Sequence, residues 1–148
     1  MKILKKYGGF IALFFGVVAI IMLFISPALI YTTTIGGATE PINLSGFQSI
    51  FGGKYLMFEL TFNILGFLAL IFLVAGLVIP LVPLPANFKY LIGALLLLIA
   101  GILLFVFPGT HDAVAGSYSV NTSLIFAGVF TLIGFLINAV LGFLNFKK

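Results

Sequence analysis

Few residues in this chain have side chains that could carry out chemistry, and they are widely separated. The 148 residues include three carboxylates, one histidine and no cysteine. Glu59 and Asn63 would lie one helical turn apart on the same face, and a carboxylate at membrane depth is by default a candidate proton or cation site. The alternative is a structural Glu59 that reaches the membrane surface or pairs with Lys54, since it lies only about 6 Å below the expected start of its helix.

His111 and Asp112 form the second group, and they are adjacent in the sequence. They could act as an acid–base pair or bind a metal, but a zinc site built only from protein needs three or four ligands. We therefore expect a solvated turn with no metal and no cofactor. The chain has neither a phosphate-binding glycine loop nor a nucleophile elbow, so we expect no enzymatic activity. The remaining catalytic alternative is an enzyme acting on a lipid at the outer surface through His111, Asp112 and Glu59.

The elements that must position these residues are membrane helices. The chain is 63% hydrophobic and 7% charged, whereas soluble domains carry about 25% charged residues. Four apolar stretches predict spans at residues 7–31, 55–79, 90–107 and 122–144. They leave outer loops at 32–54 and 108–121 and an inner turn at 80–89, where Pro80, Pro83 and Pro85 prevent a continuous helix. We therefore predict a single all-α domain, a four-helix transmembrane bundle in which spans two, three and four are antiparallel neighbours.

The charges are distributed unequally between the two sides of these spans. Glu40, Glu59 and Asp112 belong to the outer side, whereas six of the seven lysines belong to the other. The positive-inside rule therefore predicts cytoplasmic termini, and we expect a plasma-membrane protein, bacterial because it is small and lacks cysteine. The first apolar stretch is longer than the roughly 7–15 residues of a signal peptide, which predicts a retained helix. The net charge of +4 does not predict a nucleic-acid partner, because no basic stripe and no arginine are present. The six lysines are Lys2, Lys5, Lys6, Lys89, Lys147 and Lys148.

Small residues recur at helical spacing in two of the spans. Such residues allow helices to approach closely, and a buried amide can form a hydrogen bond across the interface. We therefore predict that spans one and four pack through these faces, with Asn138 in a structural role; a substrate site at Asn138 is the alternative. Bulky substitutions at Gly16 or Gly134 are expected to reduce the folded yield. The faces consist of Gly8, Ala12 and Gly16 in span one and Ala127, Thr131, Gly134, Asn138 and Gly142 in span four.

The first outer loop contains an apolar pattern of its own. Leu44, Phe47, Ile50 and Phe51 recur at helical spacing, which is typical of a short amphipathic helix on a membrane surface. The alternative is an irregular loop whose aromatic rings enter the interface or pack on the bundle. In either case these four residues are the candidate contact residues of the loop.

The predicted layout resembles that of the claudin-type tetraspan proteins, with four helices, two internal ends, a large first outer loop and a smaller second one. The tryptophan and paired cysteines that mark the claudin first loop have no counterpart here, so the resemblance does not imply a barrier role. Residues 45–52, Ser-Gly-Phe-Gln-Ser-Ile-Phe-Gly, are similar to first-loop segments of uncharacterised small bacterial four-span membrane proteins. That similarity implies no activity.

These observations predict a non-enzymatic integral membrane protein that acts through protein or lipid partners. We expect an accessory or scaffold subunit whose partners are the lipid bilayer and either another membrane protein or further copies of the same chain. The alternative is a small oligomeric transporter or channel in which Glu59 and Asn63 line a polar path.

Overall fold

The computed structural model describes residues 2–25, 27–35, 38–55, 58–110 and 117–146. Within these residues, four long helices form a bundle with a small antiparallel sheet at one end. All four helices are long and apolar enough to cross a membrane, with mean hydropathies between 2.5 and 2.9. The prediction of a four-helix, multi-pass architecture is confirmed at this level. The elements in chain order are α1 (Lys2–Ile25), β1 (Pro27–Ile35), β2 (Ala38–Ser45), α2 (Gly46–Phe51), β3 (Gly53–Tyr55), β4 (Phe58–Leu60), α3 (Ile64–Val78), α4 (Ala86–Val106), β5 (Ser117–Val120) and α5 (Thr122–Phe146), with 3-10 turns at Ile79–Leu81 and Phe107–Thr110.

The bundle core is built from α5, which packs along both α1 and α4, and from α3, which packs along α4. Fully buried side chains from these helices include Ala19, Leu73, Leu97 and Ala127. The alanines allow neighbouring helices to approach closely, and the leucines fill the space between them. The prolines predicted to interrupt the chain lie between α3 and α4, and Pro85 is the N-cap residue of α4.

The two ends of the bundle differ in composition. We call the end that carries β1–β5 the sheet end, because these strands connect directly to the helix ends there. The opposite end holds the start of α1 with Lys6, the turn between α3 and α4, and Lys89 in the first turns of α4. We call it the lysine end.

A three-stranded antiparallel sheet, in the order β2-β1-β5, occupies part of both predicted outer loops. β1 is the central strand: Tyr31 lies opposite Ile42 of β2 and Tyr118 of β5. The prediction of a first span that continues to Tyr31 is corrected, because α1 ends at Ile25 and β1 starts at Pro27. Proline cannot continue the helix, and the following Tyr-Thr-Thr-Thr-Ile run has a high β-propensity.

Of the two alternatives for the first outer loop, a short helix or an irregular loop, the structure has the helix, α2. Ser45 is its N-cap residue, and Ser45 and Gln48 form a reciprocal capping box in which each side chain accepts a hydrogen bond from the other's backbone N–H. This motif satisfies two amides that the first turn of a helix would otherwise leave unpaired. Gly46 allows α2 to lie against the end of α1, since a Cβ at this position would be 2.2 Å from the carbonyl oxygen of Leu23.

The second spanning helix starts later than predicted. The sequence predicts a start at Tyr55, whereas residues 53–60 contain the β3–β4 hairpin and α3 starts at Ile64. Gly52 has a φ of +75°, a backbone conformation that favours glycine. The chain therefore turns sharply after α2 and pairs with itself before it enters the bundle.

Candidate functional site

Glu59 lies in the β3–β4 hairpin and not in a spanning helix. It is directly opposite Lys54 in the register of the two strands, and both side chains are exposed. The predicted spacing of one helical turn between Glu59 and Asn63 is therefore wrong, because residues 61–63 separate β4 from α3. The exposed hairpin position agrees with the alternative in which Glu59 is a surface carboxylate beside Lys54.

Asn63 is the N-cap residue of α3, and its side chain is 8% exposed. Its Oδ1 accepts a hydrogen bond of 2.9 Å from the backbone N–H of Gly66, and its Nδ2 donates one of 2.9 Å to the hydroxyl of Thr110. The Thr110 hydroxyl donates to the carbonyl of Phe107, and the backbone N–H of Asn63 donates to the carbonyl of Ile50. The polar groups of Asn63 are thus used to join α2, α3 and the end of α4.

The small-residue faces of the first and fourth spanning helices meet over part of their length. A Cβ at Gly8 of α1 would lie 3.0 Å from the side chain of Leu141 in α5. A Cβ at Gly134 of α5 would lie 3.6 Å from the carbonyl oxygen of Ala12 in α1. The two helices therefore approach closely at these positions.

The remaining members of these faces contact other helices or their own. Gly16 faces Leu77 of α3, since a Cβ there would lie 2.1 Å from a Leu77 methyl carbon, and Gly142 faces Leu91 of α4. Thr131 is fully buried and donates its hydroxyl hydrogen bond to the carbonyl of Ala127, four residues earlier in α5. The predicted pair of faces is thus divided among interfaces of α1 with α5, α1 with α3, and α4 with α5.

Asn138 in α5 has a buried side chain whose hydrogen-bonding groups are not all paired. It is 1% exposed, and its Oδ1 has no hydrogen-bond partner among the described residues. The expected hydrogen bond across a helix interface is therefore not made by this oxygen. A buried acceptor without a donor is costly, so its surroundings are of functional interest.

Those surroundings include a cavity of about 270 Å³ at the lysine end, partly open to the surface. α1, the turn after α3, α4 and α5 all contribute to its lining. The polar lining residues are Lys6, Lys89, Tyr90 and Asn138, and the remainder of the wall is formed by glycine, alanine, proline and large apolar residues. Basic and apolar groups thus line one partly open cavity.

Tyrosine rings lie close to both lysines of the lining. The ammonium of Lys89 lies 5.4 Å from the centre of the Tyr90 ring, and that of Lys6 lies 5.1 Å from the centre of the Tyr7 ring. These are cation–π distances. Gly9 admits the Tyr90 hydroxyl close to α1, since a Cβ there would be 3.1 Å from that oxygen.

At the sheet end, the four predicted loop contacts divide into two buried and two exposed residues. Leu44 and Ile50 are at most 1% exposed and belong to the core, whereas Phe47 and Phe51 are 49% and 37% exposed. The rings of Phe47 and Phe51 are 4.5 Å apart. They belong to a continuous set of ring contacts, which we call the aromatic cluster: Phe24, Phe47, Phe51, Phe62 and Phe67.

His111 and Asp112 lie outside the described residues. Within the described part of the chain, no three histidine or acidic side chains are grouped closely enough to hold a metal ion. Comparison of the chain with protein-family models and with curated proteins finds no match.

Sequence reasoning missed the lysine-end cavity as a site. From the sequence, Lys6 and Lys89 are interpreted as topology signals and Asn138 as a packing residue, with a substrate site as the alternative for Asn138. The available signal was a basic residue followed by a tyrosine near two helix starts, Lys6-Tyr7 and Lys89-Tyr90. Their proximity to Asn138 depends on the packing of four helices.

Proposed function

We propose that this chain is a non-enzymatic, multi-pass protein of the bacterial plasma membrane that serves as an accessory or scaffold subunit of a membrane complex. The main support for this proposal is the aromatic cluster at the sheet end. Three of its side chains, those of Phe47, Phe51 and Phe62, are between 37% and 49% exposed. Aromatic residues are enriched in the centres of protein interfaces. The partner that this surface fits is another membrane protein, a second copy of the chain included.

The hydrogen bonds of several interior polar groups support a role without catalysis and without a polar path through the bundle. The side chains of Asn63 and Thr131 form hydrogen bonds with neighbouring backbone and side-chain groups. The Ser123 hydroxyl donates to the carbonyl of Pro27. Every residue of α3 between Ile64 and Val78 is apolar or glycine. These groups stabilise the bundle and its junction with the sheet.

The proposed orientation places the lysine end in the cytoplasm together with both termini. Its basis is the positive-inside rule applied to the six lysines outside the hairpin. The likeness to the claudin-type layout is a likeness of topology, and no activity is assigned from it.

Site-specific photocrosslinking in intact cells tests the partner. A photoreactive phenylalanine analogue at Phe47 or Phe62 is expected to give a discrete crosslinked species of higher mass. The matched control is the same analogue at Phe14 of α1, which is 64% exposed on a spanning helix and should crosslink only to lipid. A chain that gives no protein crosslink from either cluster position, and that conducts a defined solute after reconstitution, would contradict the proposal.

The alternative, a transporter or channel, was based on a helical arrangement of Glu59 and Asn63 that the structure does not have. It requires Glu59 and Asn63 to line one path, but Glu59 is exposed in a hairpin and the polar groups of Asn63 are engaged in capping. We therefore place it second. The lipid-directed enzyme requires His111 and Asp112, which lie outside the described residues.

A further inference from the structure

The cavity at the lysine end combines features that the proposed partner surface does not use. Two basic side chains, Lys6 and Lys89, belong to its lining, and so does Tyr90, whose phenol is a hydrogen-bond donor. The Tyr90 hydroxyl makes no hydrogen bond to any residue that the structure describes. Three donor groups from two helices are thus available to one ligand.

No protein carboxylate accompanies these ammonium groups in the sequence of the surrounding helices. The segments 1–35, 60–110 and 113–148 contain no aspartate or glutamate. Cations without a neighbouring aspartate or glutamate, beside a low-dielectric wall, favour binding of an anion. Lysine is a common phosphate-binding residue because its ammonium acts as a compact point charge.

The polar groups are arranged at different depths. Leu141 of α5 lies level with Gly8 of α1, and Gly134 lies level with Ala12, so Asn138 is level with the part of α1 between Gly8 and Ala12. Lys6 is closer to the lysine end than this part of α1. Within the cavity the buried amide of Asn138 therefore lies deeper than Lys6, and Ala12 and Leu13 line the cavity deeper still.

The other lining groups are suited to a lipid. Phe10, Leu13, Leu77 and Leu81 form apolar wall, and Phe10 and Leu81 are 71% and 63% exposed, which places them at the membrane-facing side of the opening. The volume of about 270 Å³ is slightly below the roughly 300–1,000 Å³ of sites for drug-sized ligands. It suits a headgroup and not a complete lipid.

We propose that this cavity binds the glycerol phosphate group of an anionic phospholipid from the leaflet at the lysine end. The phosphate oxygens accept hydrogen bonds from the ammonium groups of Lys6 and Lys89 and from the Tyr90 hydroxyl. The Nδ2 group of Asn138 donates a hydrogen bond to an oxygen of the glycerol. The acyl chains leave along Phe10 and Leu81. This site is at the opposite end of the bundle from the aromatic cluster and does not depend on the partner proposed there.

Native mass spectrometry of the full chain in detergent measures the binding. The probe is phosphatidylglycerol, which carries both the phosphate and free hydroxyls, with phosphatidylcholine as the zwitterionic comparison. Free glycerol 3-phosphate, measured in parallel by calorimetry, shows whether the acyl chains are needed. The variants are Lys6→Gln, Lys89→Gln and Tyr90→Phe, and the charge-matched control is Lys54→Gln in the exposed β3–β4 hairpin at the sheet end.

We expect one bound phosphatidylglycerol per chain and weaker retention of phosphatidylcholine. Each of Lys6→Gln and Lys89→Gln should raise Kd about fivefold, the effect expected for one lysine near an anionic surface, and Tyr90→Phe should raise it about three- to fivefold. Lys54→Gln should leave Kd unchanged. Glycerol 3-phosphate binding that is equally tight and equally sensitive to the lysine variants would assign the site to a soluble phosphate ester of the same chemistry.

Three results would overturn the proposal: equal retention of the two lipids, no effect of either lysine variant, or an equal effect of Lys54→Gln. Lys6 is exposed at the start of α1, so its substitution leaves the core intact. If Lys89→Gln fails to fold, Lys6→Gln and Tyr90→Phe still decide the outcome.

Discussion

Two buried asparagines are expected to respond in opposite directions to the same substitution. Asn138 is 1% exposed and Asn63 is 8% exposed, yet only Asn63 has its side-chain groups paired, with Gly66 and Thr110. In Asn138 the Oδ1 atom is buried without a donor. Burial alone would predict a similar loss of stability at both positions, whereas hydrogen-bond satisfaction predicts a difference in sign.

For Asn138→Leu we expect a gain in stability in phospholipid-free detergent. An unsatisfied buried polar group costs about 1–3 kcal/mol, and leucine removes that cost while the adjacent cavity of about 270 Å³ accommodates its larger side chain. A gain of this size raises Tm by about 2–4 °C for each kcal/mol.

For Asn63→Leu we expect a loss. Removal of an N-cap costs about 0.5–2 kcal/mol, and the broken hydrogen bond to Thr110 adds about 1 kcal/mol. Asn63→Ser keeps a capping oxygen and should retain most of the N-cap contribution. The serine variant thus separates capping from the contact with Thr110.

Thermal unfolding followed by circular dichroism, with and without phosphatidylglycerol, measures both effects. Added lipid should stabilise the original chain, because a ligand that binds only the folded state raises its stability, and it should stabilise Asn138→Leu less. A fall in Tm for Asn138→Leu in the absence of lipid would refute the assignment of an unsatisfied oxygen. Equal losses at the two positions would show that burial, and not hydrogen bonding, decides the response.

Three further predictions concern the sheet end and the orientation. Gly46→Ala should lower stability by about 1–3 kcal/mol through overpacking, because its Cβ would meet the Leu23 carbonyl, whereas Gly109→Ala has no atom within 4 Å and should be nearly neutral in the same unfolding assay. Ser45→Ala should cost about 0.5–2 kcal/mol through loss of the capping box, and an unchanged Tm would contradict that role. In this cysteine-free chain, a cysteine at Lys54 should react with an impermeant maleimide in intact cells, and one at Leu84 only after permeabilisation; the reverse pattern would invert the proposed orientation.

The four helices could be predicted from the sequence because lipid makes long apolar runs the dominant signal. The position of the inner turn was equally predictable, since Pro80, Pro83 and Pro85 leave little choice of backbone. Its predicted end at residue 89 was wrong, because α4 starts at Ala86. The start of α3 was not, because residues 55–58 of the β3–β4 hairpin are apolar and continue the hydropathy signal of α3 past a single charged residue, Glu59. Hydropathy does not distinguish a short strand from the first turns of a spanning helix.

The sheet was missed for a different reason. Its local signals were present in Ile30-Tyr31-Thr32-Thr33-Thr34-Ile35, but β1 pairs with β5 across more than eighty residues of sequence, Thr32 with Ser117. Such a pairing depends on the arrangement of the intervening helices. The lysine-end cavity is unpredictable in the same sense, because Lys6, Lys89 and Asn138 come together only when α1, α4 and α5 pack.

The position of β1 between β2 and β5 has a consequence for biosynthesis. A ribosome delivers β1 and β2 together, so their hairpin can form as soon as Ser45 has emerged, whereas β5 is delivered only after α3 and α4. During that interval one edge of β1 has no neighbour, and an open strand edge is a template for pairing with another chain. The arrival of β5 closes this edge and joins the sheet ends of the first and last spanning helices. Insertion of α3 and α4 is therefore the stage at which the nascent protein is most exposed to mispairing.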